Sequence, residues 1–184
     1  LYDRTGNWSR PYRENGWEVL QVDVQNGIDI LQWDYKMAYS DLLFKHMDDA
    51  DVNVVLLIAQ PCDDYAVSGA KHFKYKDIDG RLEYSQKLVA KSKEIKDYFN
   101  PFAWGLENPK TRIHKLNTWI GQRPKYVFNP CDFAGYNQNP DEDRYNKETW
   151  LFGKFNDPVK KRMEPLSKEY PGFINLGGKS LATK

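Results

Sequence analysis

The run Val52-Asn53-Val54-Val55-Leu56-Leu57-Ile58-Ala59 constrains this chain more than any other stretch. It is β-branched and almost continuously apolar, the pattern of a strand covered on both faces, as in a parallel sheet. Its neighbours fit that setting. Trp17 to Val24 alternates apolar and polar side chains between Gly16 and Gln25-Asn26-Gly27, which predicts a second strand. Tyr35, Ala38, Tyr39, Leu42 and Leu43 fall at helical spacing and predict a helix from Tyr35 to about His46. Leu82 to Phe99 places Leu88, Val89, Ile95, Tyr98 and Phe99 on one stripe, with lysines opposite. Asn100-Pro101 ends that helix, because proline disfavours helix at the residue before it. Phe102 to Leu106 predicts a strand leading into Glu107-Asn108-Pro109. Strands alternating with helices predict a layered α/β fold.

Past Pro109 the pattern loosens to two short strand candidates, Lys125 to Phe128 and Thr149 to Phe155, and Pro158 to Lys184 reads mostly as loop. The charged stretch Lys71 to Arg81 reads as a mobile loop with Asp79-Gly80 as a turn. A length of 184 residues suits one domain, and 40% hydrophobic residues are enough for a core. The net charge of +1 excludes a polyanion binder that relies on bulk charge. A local basic face remains open: Lys71, Lys74 and Lys76 interleave with His72, Phe73 and Tyr75 as candidate nucleic-acid contacts. Lys87, Lys91, Lys93 and Lys96 read as the solvated face of a helix. Two cysteines make no disulfide framework, and His46, His72 and His114 are too scattered for a metal site. No run approaches the roughly 18 apolar residues of a membrane helix. The charged start, Leu1-Tyr2-Asp3-Arg4, has no initiating Met and predicts no signal peptide, so the expected compartment is cytoplasmic and reducing.

Ligands of open parallel sheets bind outside the carboxyl ends of the strands. Four segments are expected there: the turn Tyr2-Asp3-Arg4-Thr5-Gly6-Asn7-Trp8-Ser9, then Asp23, then Gln60-Pro61-Cys62-Asp63-Asp64-Tyr65, then Glu107-Asn108-Pro109. Cys62 reads as a nucleophile or as an inert buried thiol. A nucleophile must be thiolate, and a free thiol has a pKa of about 8.5. Asp63 and Asp64 raise that value unless they point away, so a cation or a helix N-terminus has to help. Glu107 is an ordinary exposed carboxylate or a functional one. Asp23 suits a bond to ribose hydroxyls and is equally a common turn former. Cys131 reads as a semi-buried structural thiol.

These residues resemble the DNA (cytosine-5) methyltransferases, in their short phage and prophage versions. The family's first motif, Phe-x-Gly-x-Gly-Gly-Phe-Ser, is similar to Tyr2 through Ser9, with Arg4 and Asn7 in place of two glycines. The Pro-Cys motif is matched by Pro61-Cys62 with Tyr65 and Ser68-Gly69, the turn after the loop by Asp79-Gly80-Arg81, and the Glu-Asn-Val motif by Glu107-Asn108-Pro109. The likeness covers the first 60% or so of the chain. It implies a Rossmann-like, three-layer α/β/α fold that uses S-adenosyl-L-methionine to methylate carbon 5 of cytosine in DNA. Cys62, Glu107 and Asn108 would be catalytic. Tyr2, Thr5, Gly6, Trp8, Asp23, Asp29, Ile30 and Pro61 would hold the cofactor, with Asp29 at the adenine amine. The Gln-x-Arg-x-Arg motif has only Gln122-Arg123 or Lys147 as stand-ins, there is no room for a separate target-recognition domain, and the last family motif is missing after Gly177-Gly178-Lys179-Ser180. The resemblance thus implies a truncated carboxyl end or an incomplete cofactor pocket, and target reading in short contexts or through a protein partner or oligomer. Two other readings share these residues: a non-catalytic relative that binds cofactor or nucleic acid, and a cytosine-5 enzyme acting on RNA.

Overall fold

The computed structural model describes residues 1–47 and 52–166. Its sheet has four strands: β1 (Val55–Ala59), β2 (Ala103–Pro109), β3 (Tyr126–Phe128) and β4 (Thr149–Lys154), in the order β1-β2-β4-β3. β1 and β2 are parallel, in register from Val55 opposite Ala103 to Ala59 opposite Glu107. β4 runs antiparallel to both β2 and β3, which makes the sheet mixed. On its other edge β1 meets the start of the chain. The Leu1 ammonium donates to the Leu57 carbonyl at 2.6 Å, and Ala59 N–H donates to the Leu1 carbonyl at 3.0 Å. That is the slanted pattern of a parallel pair.

Among the described residues five helices accompany the sheet: α1 (Arg10–Glu14), α2 (Tyr35–Lys45), α3 (Phe73–Lys76), α4 (Arg81–Phe99) and α5 (Ile113–Leu116). α4 is the long one because its stripe repeats at helical spacing. It buries Leu88, Val89, Ile95 and Phe99 in one cluster with Leu56, Ile58, Leu106 and Phe152 of the sheet. α2 closes onto it through aromatic contacts, with Tyr39 and Phe99 stacked at 4.7 Å and Tyr35 edge-on to Tyr98 at 5.4 Å. In the β2–β4 ladder Gly105 lies opposite Gly153. Gly153 has φ +137°, and a Cβ there would stand 2.2 Å from the Trp104 carbonyl oxygen. Only glycine fits that approach.

An α/β fold and five of the predicted elements are present: the helix at Tyr35, the long helix, and strands at Val55, Tyr126 and Thr149. Three expectations are corrected. Trp17 to Val24 forms no strand: 17–23 has no ladder partner, and Val24–Asn26 is a short 3-10 turn. Among the described residues its backbone bond toward the sheet edge runs from Tyr2 N–H to the Val22 carbonyl. β2 extends to Pro109, so Glu107 and Asn108 lie within the strand and not after it. The expected loop from Lys71 to Arg81 holds a 3-10 turn (Val67–His72) and α3 before the turn into α4. The end of the chain around Gly177 to Ser180 lies outside the described residues. Among the described residues no helix is long and apolar enough to cross a membrane.

Candidate active site

The register of β1 on β2 brings the Pro-Cys turn and Glu107 together. Glu107 sits opposite Ala59, three residues before Cys62. The buried Asn108 amide donates to the Gln60 carbonyl at 2.9 Å and ties the two strand ends at the nucleophile's root. Gln60 is itself buried, its side-chain oxygen accepting from the Ser92 hydroxyl of α4 at 3.2 Å. Beyond it Pro61 and Cys62 are half-buried. The Cys62 carbonyl accepts from Tyr65 N–H at 2.9 Å and Ala66 N–H at 2.8 Å, which rolls the chain into a tight turn. The loop after β2 clamps that turn: Arg112 N–H donates to the Tyr65 carbonyl at 3.0 Å, and Val67 N–H to the Lys110 carbonyl at 2.9 Å.

The two aspartates after Cys62 part ways. Asp64 is buried and turned away from the thiol, accepting from the Ser85 hydroxyl at 2.6 Å and pairing with the Lys76 ammonium at 3.1 Å. Asp63 stays exposed. Burial pushes the Cys62 thiol above its ordinary pKa, and Asp63 and then Glu107 push it the same way, while Lys147 opposes them. Burial likewise raises the Glu107 carboxyl, with Lys147 again opposing. One cation therefore acts on both groups, and burial outweighs it at each. Lys147 comes from the segment before β4, far away in sequence, and as a stand-in for an arginine motif it lacked the family's context.

The tether on the following segment was not legible in sequence. Lys76, expected as a nucleic-acid contact, faces inward to Asp64 and the Asp63 carbonyl. Arg112 makes a two-pronged pair with Asp77 and lies over the Phe73 ring at 3.5 Å. Lys71, His72, Lys74 and Tyr75 remain exposed on the same segment.

The first-motif turn is also built, by its own side chains. Gly6 has φ +70°, and a Cβ there would meet the Gln21 Oε1 at 3.0 Å. Gln21 holds the turn by donating to the Arg4 carbonyl at 2.9 Å, and Asn26 donates to the same oxygen at 3.1 Å. The Asp3 carboxylate accepts from Ser9 N–H at 3.1 Å and Ser9 hydroxyl at 2.9 Å, at the start of α1. Thr5 is exposed, its hydroxyl accepting from Asn7 N–H at 3.3 Å. Trp8 lies over Gly105 of β2, where a Cβ would meet its ring at 3.8 Å. Tyr2 points into the core, its hydroxyl meeting the Leu88 carbonyl and Ser92, and burial pushes its pKa up to about 12. Ile30 is buried in the main hydrophobic cluster. Asp23 and Asp29 are half-buried and each accepts one nearby backbone N–H, from Gln25 at 2.8 Å and Leu31 at 2.9 Å. Both carboxylates act electrostatically on this strand end, Asp23 on the Leu1 amine and Asp29 on Tyr2.

Cys131 is fully buried, its thiol raised by burial. Among the described residues no three His, Cys, Asp or Glu side chains gather as metal ligands. A cavity of about 290 Å³ lies against residues 17–22 and 52–57, and neither Cys62 nor Glu107 lines it. No family model, no curated protein and no solved structure matches the chain.

Proposed function

We propose that this chain transfers a methyl group from S-adenosyl-L-methionine to carbon 5 of cytosine in DNA. The observation that carries the reading is the juxtaposition of Cys62 and Glu107 at the carboxyl ends of two paired parallel strands, each within electrostatic reach of Lys147. We read the sheet and helices as the centre of a Rossmann-like, three-layer fold, in which that rim is where a ligand belongs. The residues of the first-motif turn fit the cofactor in type. Gly6 takes the positive φ that the turn needs, and Asp23 and Asp29 each use one carboxylate oxygen on backbone and keep another for a ribose hydroxyl or an adenine amine. Tyr2 and Ile30 act from behind, as packing.

The ring carbon is a poor nucleophile and needs covalent activation. Cys62, as thiolate, adds to carbon 6 of the pyrimidine. Glu107, whose carboxyl burial shifts toward the protonated form, donates in that form a hydrogen bond at ring nitrogen 3 and draws off the electron density that the addition creates. Lys147 favours the thiolate form. When bound, the cofactor supplies an electrophilic methyl group for carbon 5. Loss of the carbon 5 proton to a base then re-forms the ring double bond, breaks the carbon–sulfur bond and returns Cys62 as thiolate. In duplex DNA the base must leave the stack to reach such a site. The exposed Lys71, His72, Lys74 and Tyr75 flank the turn and suit phosphate and base contacts.

The test is tritium transfer from labelled S-adenosyl-L-methionine to DNA and, in a parallel arm, to RNA, with Cys62→Ser as control. Transfer to DNA that Cys62→Ser abolishes supports the reading. Transfer to RNA alone moves it to the RNA enzyme, and cofactor binding without transfer moves it to the non-catalytic relative.

A further inference from the structure

The segment between the Pro-Cys turn and α4 has two faces of opposite character. Its inner face is locked. Phe73 lies under the Arg112 guanidinium, Lys76 reaches Asp64 and the Asp63 carbonyl, and Asp77 takes both prongs of Arg112. The Tyr75 carbonyl then accepts from Ile78 N–H and Asp79 N–H, both at 3.1 Å, which closes the turn. The outer face carries Lys71, Lys74, Tyr75 and Ile78, at the i, i+3, i+4 and i+7 positions of one helical stripe. All four are exposed, Ile78 at 79% and Tyr75 at 62%. Apolar tips held outward on a fixed turn mark a contact surface.

The charges say which partner suits it. The carboxylates along the segment are already neutralised: Asp64 by Lys76 at 3.1 Å, Asp77 by Arg112, Asp79 by Arg81, and Glu83 by Lys87 at 2.8 Å. Asp63 is outside these pairs, on the Pro-Cys turn and not on the stripe. Lys71 and Lys74 enter no ion pair among the described residues, so the stripe presents two free cations beside an aromatic ring. That combination fits a polyanion with flat faces to stack. In a duplex those faces are hidden between neighbouring base pairs, and in a single strand they are open. Two cations are also few for a duplex, whose affinity is built from many phosphate contacts. At the helical rise the stripe is about 10 Å long, room for roughly three stacked nucleotides.

We infer that this stripe binds single-stranded DNA, with Tyr75 and Ile78 against the open base faces and Lys71 and Lys74 on the phosphates. Lys76, on the back of the same turn, bonds the residue that follows Cys62, so a strand lying on the stripe passes beside the nucleophile. An unpaired cytosine reaches that site without the cost of opening a duplex. The surface stands on its own geometry; the choice of DNA over RNA rests on the methyl-transfer reading.

The test is fluorescence anisotropy with a short labelled DNA strand containing cytosine, the same sequence as a duplex and the same sequence as RNA, all without cofactor. The DNA strand is expected to bind at least tenfold tighter than the duplex at equal salt. Tyr75→Ala should weaken that binding by about tenfold, the size of one lost base stack. Replacing both free cations, Lys71→Gln with Lys74→Gln, should lower the salt slope by roughly 1.4. Lys93→Gln, on the solvated face of α4, should change neither quantity. A duplex bound as tightly as the single strand, or full affinity in Tyr75→Ala, would overturn the inference. RNA bound more tightly than DNA would overturn the choice of DNA. Single-strand binding that Tyr75→Ala weakens, in a protein that transfers no methyl group, would sink the proposed reaction and support this surface. Methylation of duplex alone that depends on Cys62 would do the reverse.

Discussion

The two edges of β1 carry the same backbone and meet different fates. On the β2 edge five residues are paired in register, and at its carboxyl end Asn108 bonds Gln60 and fixes where Cys62 leaves the sheet. On the other edge one residue pairs, and a cavity of about 290 Å³ takes the place of a neighbour. Apolar alternation is thus not enough to make a strand. Residues 17–22 alternate and lack the partner, while Ala103–Pro109 does not alternate and pairs with a strand on each side. The candidate chemistry sits at the paired edge, where cross-strand register places Glu107 beside the end of β1 and the turn after it carries Cys62.

The largest separation between the edges should appear in activity. Glu107→Gln keeps the shape at the paired edge but has no acidic proton, and methyl transfer is expected to fall by about 10² to 10⁴. Circular dichroism and melting should show little change. A loss below about tenfold would return Glu107 to an ordinary carboxylate.

Stability should divide the edges next. Phe152→Ala empties a fully buried site in β4 beside the paired strands and should cost about 3 to 5 kcal/mol in denaturant unfolding. Trp17→Ser, on the unpaired segment, should cost less than about 0.5 kcal/mol. Similar costs for the two would mean that residues 17–22 are packed as firmly as the sheet.

Cofactor affinity comes third. Asp23→Ala removes a carboxylate from the rim near Leu1 and should weaken S-adenosyl-L-methionine binding by about 1.5 to 3 kcal/mol, read by calorimetry. A few tenths would leave Asp23 as the cap of the Val24–Asn26 turn and nothing more.

The smallest effect is electrostatic and has a definite sign. Asp63 disfavours the Cys62 thiolate and Lys147 favours it. Asp63→Asn should therefore speed alkylation of Cys62 a few-fold at pH 8, and Lys147→Met should slow it. In every case the rate climbs as pH rises past the ordinary thiol range, because the thiol is raised and the thiolate reacts. Opposite signs would show that these charges act elsewhere.

The elements that periodicity decides were legible in the chain itself. Leu82 to Phe99 was predicted within one residue of α4, and the apolar run from Val52 contains β1. What escaped depends on distant partners. Nothing local in Lys71 to Arg81 tells that Lys76 will face Asp64 or that Arg112, 35 residues on, will hold Asp77, and the segment read as mobile loop for that reason. Tyr2 falls in a motif, yet its hydroxyl reaches Ser92, 90 residues away, so its place in the core was invisible from the turn. For the site, Cys62 and Glu107 stood out as residues at expected strand ends. Their approach to Lys147 and the parting of Asp63 from Asp64 are set by tertiary packing.

The central claim is that Cys62 attacks the base, and trapping tests it most directly. DNA containing 5-fluorocytosine, incubated with the protein and S-adenosyl-L-methionine, cannot lose a proton from carbon 5, so the covalent adduct accumulates. Peptide mapping by mass spectrometry is expected to place the adduct on Cys62 and to find none in Cys62→Ser. No adduct under conditions in which the protein methylates ordinary cytosine, or an adduct on Cys131, would contradict the account.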